Sequence, residues 1–145
     1  MNVVFGKFTP ATPDSRRAGD SLADGISAVQ GFDSSGPTAA LNSVTCFDHK
    51  KYTNGILLNM KFHPTALSND SGVEKLIDVM KTYFFDMGGM EMQMNIVSAD
   101  TLRNAQEHPE NYKDLVVRVA GFSAYFVEVY KDSQNDLIRR TELNL

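Results

Sequence analysis

The chain has 145 residues, 42% of them apolar, and a formal charge of -4, which is one domain's worth of sequence with enough apolar material for a core. The negative balance and the lack of a basic stripe with interleaved aromatics exclude a nucleic-acid surface, and the single Cys46 excludes an internal disulfide or a multi-cysteine metal centre. The opening Met1-Asn-Val-Val-Phe-Gly-Lys7 lacks the charged region and long apolar run of a signal peptide, no later stretch suits a bilayer, and a reducing cytoplasm is the expected compartment.

In chain order, Pro10, Pro13, Gly19, Gly25, Gly31 and Gly36 punctuate the first part without periodicity, so a long irregular segment is expected over about residues 1–37. A loop of that length is normally functional, disordered or laid against another body. It is read here as a docking segment. Residues 37–44 open as a helix with Pro37 in the first turn, and residues 56–62 read as a strand.

Ser71 and Glu74 have the spacing of a capping box, and Val73, Leu76, Ile77, Met80, Phe84 and Met87 then recur at helical spacing until Gly88 and Gly89. Met90, Met92, Met94 and Ile96 alternate with Glu91, Gln93 and Asn95, which predicts a strand with its apolar face in the core. Residues 101–107 read as a helix stopped before Pro109.

Leu115, Val116, Val117 and Val119 form a β-branched run interrupted by Arg118, Gly121 ends it, and Phe122, Ala124 and Phe126 begin a second alternating stretch. By residue pattern alone this is strand, glycine turn, strand. Ser133 with Asp136 favours a last helix running into Arg139 and Arg140, whose charges suit a helix C-terminus.

Other chemistry is thin. His49, His63 and His108 lack metal-ligand spacing with Cys46, and Glu91, Asp100 and Glu110 form no defensible acid and base pair. Asp14 with Arg16 and Arg17 fits either an anion site or a loop-stabilising ion pair.

The wording Arg118-Val-Ala-Gly-Phe-Ser-Ala124, followed by Gln134, Leu137, Ile138, Arg140 and Thr141, resembles the radical loop of the glycyl radical enzyme (pyruvate formate-lyase) family. Upstream, Thr12-Pro-Asp-Ser-Arg-Arg-Ala-Gly19 resembles that family's TPDGR box, and Leu22-Ala-Asp-Gly-Ile-Ser27, Gly36-Pro-Thr-Ala39, Leu57-Leu-Asn-Met-Lys-Phe-His-Pro64, Gln93-Met-Asn95, Ala105-Gln106 and Pro109-Glu110 follow in family order. The wording is closer to the diol dehydratase and choline trimethylamine-lyase branch than to formate acetyltransferase. Ser15 departs from the box where the family has glycine, and Ser21 and Ala28 stand where that branch often has proline.

The resemblance implies an α+β fold, the C-terminal portion of the family's ten-stranded α/β barrel, ending in strand, glycine loop, strand and helix, with residues 1–145 as one glycine radical domain. It implies a radical carried on Gly121 in a loop of about residues 118–124. A radical-SAM activase with its own [4Fe-4S] cluster would install it, with Arg118, Val119, Ala120, Phe122 and Ser123 holding the loop there. A larger subunit would supply the catalytic cysteine for dehydration or C–N or C–C cleavage, because Cys46 does not stand in that cysteine's motif. No bound cofactor, metal, nucleic acid or membrane is implied, and the chain is not expected to turn over substrate alone. The alternatives are a replaceable glycyl radical cofactor that repairs an oxygen-cleaved enzyme, and a docking module without a radical. The match begins almost at Met1 rather than being confined to the terminal loop, which favours the radical-bearing part of an enzyme over repair.

Overall fold

The computed structural model describes residues 2–145, and regular structure begins earlier than the glycine and proline punctuation suggests. Helix α1, Asn2–Lys7, corrects the irregular reading at its start. Its stability comes from tertiary contact rather than local propensity: Val3 and Gly6 are buried, and the Leu22 amide donates to the Asn2 carbonyl at 3.2 Å.

Residues 8–36 then form a strap without helix or ladder, save one isolated bridge between Gly25 and Leu58. Buried Arg16 organises its first bend by donating to the carbonyls of Thr9, Pro10, Arg17 and Asp20. Those donors are therefore spent on backbone, which decides against Arg16 as part of an anion site. At Gly25 the chain passes over the central strand so closely that a β-carbon would collide with the Leu57 carbonyl, and φ there is +62°. Only glycine meets both conditions.

The central sheet has three parallel strands in the order β2-β1-β5, where β1 is Leu57–Phe62, β2 is Glu91–Ile96 and β5 is Glu142–Leu143. Helix α2, Pro37–Val44, begins with proline as expected. Helix α3, Asp70–Lys81, starts earlier than the capping-box reading, because Asn69 rather than Ser71 is the cap and its side chain accepts from the Gly72 amide at 2.9 Å. Past Lys81 the helix widens into a π turn over Thr82–Asp86, which accompanies complete burial of Tyr83. Of the residues that recur at helical spacing, Val73 and Ile77 are exposed, while Leu76 packs on the first core together with Val79.

Two further helices, α4 (Ala99–Glu107) and α5 (Lys131–Arg139), flank a short antiparallel hairpin of β3 (Val116–Arg118) and β4 (Ser123–Tyr125). α5 starts before Ser133, with the Tyr130 carbonyl receiving the Ser133 and Gln134 amides. Its end is satisfied by Lys61, whose ammonium donates to the Ile138 and Leu137 carbonyls at 3.1 and 3.4 Å. Burial pulls that lysine below its ordinary pKa, opposed by Glu142. Leu41, Leu58, Met60, Phe62 and Tyr83 centre one core, and Leu102, Val117, Phe126 and Leu137 centre a second beneath the hairpin. The fold is α+β, as read from the sequence.

Ser15 is the position in the described residues where a side chain other than glycine's takes a left-handed backbone, at φ +74°, which costs about 1–2 kcal/mol. Ser15→Gly is expected to stabilise the protein by about 1 kcal/mol, read as a rise of roughly 3 °C in thermal midpoint; a fall in midpoint would show that the serine side chain supports the bend.

Candidate functional site

The hairpin between β3 and β4 turns through residues 119–122, closed by the Val119 amide donating to the Phe122 carbonyl at 3.0 Å. Gly121 sits at its tip with φ +74°, and a β-carbon built there would meet nothing within 4 Å. Packing therefore leaves the position open, and backbone conformation alone favours glycine.

The ladder beneath the turn is only three residue pairs long, too short to hold a loop by itself. Side chains from distant segments hold it instead. Asn95 of β2 grips Arg118 twice, accepting from its amide at 2.8 Å and donating to its carbonyl at 2.8 Å. Gln93, also of β2, accepts from the Gly121 amide at 3.0 Å. Arg140, just past α5, donates to the Val119 carbonyl at 2.7 Å and to Asp24 Oδ2 at 2.6 Å. Asn59 of β1 donates to the same Asp24 oxygen at 2.9 Å, and its amide takes Ser27 Oγ as acceptor at 2.7 Å. On the return side, Gln134 donates to the Phe126 carbonyl at 2.8 Å, braced by Gln106 at 3.0 Å.

Burial along β2 goes beyond the sequence reading, because the polar face is covered as well as the methionine face. Gln93 and Asn95 are 5% and 6% exposed, whereas Met90 and Ile96 are 42% and 50% exposed. The methionine stripe packs only partly, through Met92 and Met94, against the first core. The polar face is the more deeply buried one because the hairpin lies across it: Asn95 is satisfied by that backbone, and Gln93 by the Gly121 amide and by Glu91.

The structure gathers the named loop residues on one turn. Gly121, Phe122 and Ser123 are exposed, Val119 and Ala120 are half-buried, and the Arg118 guanidinium bonds Ser123 Oγ across the hairpin at 2.9 Å. Arg140, expected from its charge to suit a helix end, turns away from it to join the strap to the loop. Gln93, Asn95, Asp24 and Asn59 were missed as supports, although Gln93 and Asn95 carried a signal in the alternation itself. Cys46 is exposed, beyond α2. His49 is buried with Nε2 on the Val44 carbonyl at 2.7 Å, His63 bonds Thr65 and His108 lies beside Glu110. Among the described residues no cluster of metal-ligating side chains occurs and no helix is long and apolar enough to cross a membrane.

Electrostatically the support is costly. Burial raises the Asp24 carboxyl above its usual value against the pull of Arg140, and burial lowers Arg140 against the pull of Asp24 and Asp136. Desolvation thus outweighs attraction at both ends, the ordinary condition of a buried pair. The pair fixes geometry more than it stabilises.

A family model described as Glycine radical matches residues 22–127, which includes Asp24, Gln93, Asn95 and Gly121. The chain is 47% identical over 141 residues to the Probable dehydratase YbiW of Escherichia coli (strain K12), covering 97% of this chain and 17% of that protein. It is 48% identical over 138 residues to the Indoleacetate decarboxylase of Tractidigestivibacter scatoligenes, covering 94% and 16%. Among solved structures, the glycerol-bound form of the B12-independent glycerol dehydratase from Clostridium butyricum superposes with a TM-score of 0.95 at 50% identity, over 99% of this chain and 18% of that one. The chain thus spans less than a fifth of the length of these relatives.

Removing one partner of a buried pair strands the other, at about 3–5 kcal/mol. Arg140→Met is expected to destabilise the protein to about that extent near neutral pH. Without its counter-ion Asp24 rises further above its unfolded pKa, so its ionised form opposes folding and protonation relieves the strain. The deficit should therefore shrink as pH falls from 7 toward 5. Urea titrations of both proteins at the two pH values check this; a deficit that grows on acidification would contradict it.

Proposed function

The chain belongs to the glycyl radical enzyme family, and on that premise we propose that Gly121 carries a post-translational radical that initiates chemistry through a cysteine of a larger catalytic body. The observation that carries this reading is the placement of Gly121: an exposed, unhindered α-carbon at the tip of a turn whose own backbone groups are held from below.

The chemistry asks for glycine. An unpaired electron on the α-carbon is stabilised when its orbital overlaps the donating amide nitrogen on one side and the accepting carbonyl on the other, extending peptide conjugation. A β-carbon would crowd that flattened centre. In the proposed cycle a radical-SAM activase with its own [4Fe-4S] cluster would cleave SAM reductively to a carbon radical, and that radical would take one hydrogen atom from Gly121, forming its own C–H bond and leaving the unpaired electron on the glycine α-carbon. Exposed Phe122 and Ser123 present the tip, with Arg118, Val119 and Ala120 forming the rest of the recognised turn. In the larger subunit a cysteine S–H returns a hydrogen atom to Gly121, and the resulting thiyl radical takes one from substrate.

A parallel sheet of three strands is normally covered and extended, and exposed Phe5, Phe8 and Phe85 supply apolar surface for a neighbour. This supports completion of the sheet as part of a ten-stranded α/β barrel contributed mostly by that subunit. Substrate choice lies outside this chain: a dehydratase and a decarboxylase match it at 47% and 48% identity. Continuity of the match over 94% or more of the chain supports the radical-bearing part of a lyase or dehydratase rather than a replaceable repair cofactor. The reading places the chain in the cytoplasm.

Anaerobic incubation with an activase proven on its usual enzyme, SAM and a reductant is expected to give a doublet in electron paramagnetic resonance; silence would sink the assignment. Gly121→Ala should abolish the doublet while costing about 1–2 kcal/mol of stability through its left-handed backbone, since space for the methyl group is open. Air should then cut the activated wild-type chain at Gly121, read by intact mass.

A further inference from the structure

We propose that Gln93 is a positioning residue that tunes the Gly121 radical by accepting a hydrogen bond from the Gly121 amide, with Glu91 polarising it from behind. The inference rests on Gly121 being the radical carrier.

Three groups form one line. Glu91 Oε1 accepts from Gln93 Nε2 at 2.9 Å, and Gln93 Oε1 accepts from the Gly121 amide at 3.0 Å. A carboxylate only accepts and a peptide N–H only donates, so the two neighbours fix which way the Gln93 amide points. The strand's period of two puts Glu91 and Gln93 on the same face of β2, and Gln93 is buried while Glu91 is exposed. Linked hydrogen bonds polarise one another, so the carboxylate makes Gln93 Oε1 a stronger acceptor than an isolated amide oxygen.

The consequence falls on the donor half of the radical. Loss of a hydrogen atom from the α-carbon leaves the amide proton on nitrogen, and Gln93 neither gains nor loses an atom. By drawing on that N–H, Gln93 raises electron density at the nitrogen, which strengthens donation into the half-filled orbital. The same bond fixes the plane of the peptide before Gly121, and so the direction in which that orbital points. Hydrogen leaves and returns along one defined line.

The Gln93 effect separates from a merely structural one by spectroscopy. In the unactivated, isotope-labelled protein, Gln93→Leu is expected to move the Gly121 amide proton upfield and speed its exchange about fivefold to tenfold, the loss of one net hydrogen bond. Gln93→Glu is made in a Glu91→Gln background, so that a donor still faces residue 93 and two carboxylates do not meet, and should move it downfield at neutral pH. After activation in heavy water, electron–nuclear double resonance should show a larger deuteron quadrupole coupling at that nitrogen in Gln93→Leu and a smaller one in Gln93→Glu. Glu91→Ala, at an exposed position where folding is safe, should shift both readouts in the Gln93→Leu direction by a smaller amount. If Gln93→Leu does not fold, the opposed shifts of Gln93→Glu and Glu91→Ala decide the matter. A wild-type doublet whose deuteron coupling is unchanged in the folded variants would overturn the tuning role and leave Gly121 as carrier. No doublet in the wild type would remove the radical reading and this inference with it, while the amide shifts would still report the bond itself.

Discussion

A seam of buried polar side chains beneath the Gly121 turn is the constraint on which the site depends. A buried peptide group without a partner costs about 1–3 kcal/mol, and the short ladder of β3 and β4 leaves the groups around the turn to find partners elsewhere. Asn95, Gln93 and Arg140 take three successive stretches of that backbone. None of these contacts is apolar, so direction and distance add to the packing of Val119 on the second core in locating the turn.

That seam reaches the far end of the chain. Asp136 of α5 accepts from Asn2 at 3.3 Å and from Gln30 at 3.1 Å, which ties α1 and the strap to the helix that ends just before Arg140. Asp24, on the same strap, holds the Arg140 guanidinium in turn. Strap, terminal helix and loop are consequently one mechanical unit, and the irregular first segment functions within the domain as well as presenting surface outward. The bend at Ser15, kept left-handed although the side chain disfavours it, is understandable on this footing: Arg16 beside it closes the strap on four carbonyls, and the closure outweighs local strain.

Local signals were legible and long-range ones were not. α2, β1, α4 and the hairpin follow from proline placement, β-branched runs and caps that act over a few residues. The cap of α3 fell on Asn69, two residues before Ser71, because both residue types suit a cap and only geometry chooses where the helix starts. The π turn depends on burying Tyr83, and α1 depends on packing against the strap, neither of which is written in periodicity. β2 is the instructive case: alternation correctly named a strand and its methionine face does pack on the first core through Met92 and Met94, yet the polar face is buried as well, because the hairpin backbone takes up Gln93 and Asn95. The glycine turn at Gly121 was legible because a β-branched run, a glycine and a second alternating stretch are local signals. Its supports lie 28 residues away at Gln93 and beyond the opposite hairpin strand at Arg140, distances over which sequence alone assigns no partner.

Above the seam the arrangement reverses. Gly121 is exposed and so are Val116, Phe122 and Tyr125 around it, a surface with apolar side chains and an unhindered α-carbon. In the proposed cycle this tip must be received by two different bodies, one that makes the radical and one that uses it. A loop shaped by its partner would present a different carbon geometry to each. A loop fixed from beneath, by hydrogen bonds to its own domain, presents the same geometry to both, and leaves its apolar upper surface free to exclude water from whichever partner covers it.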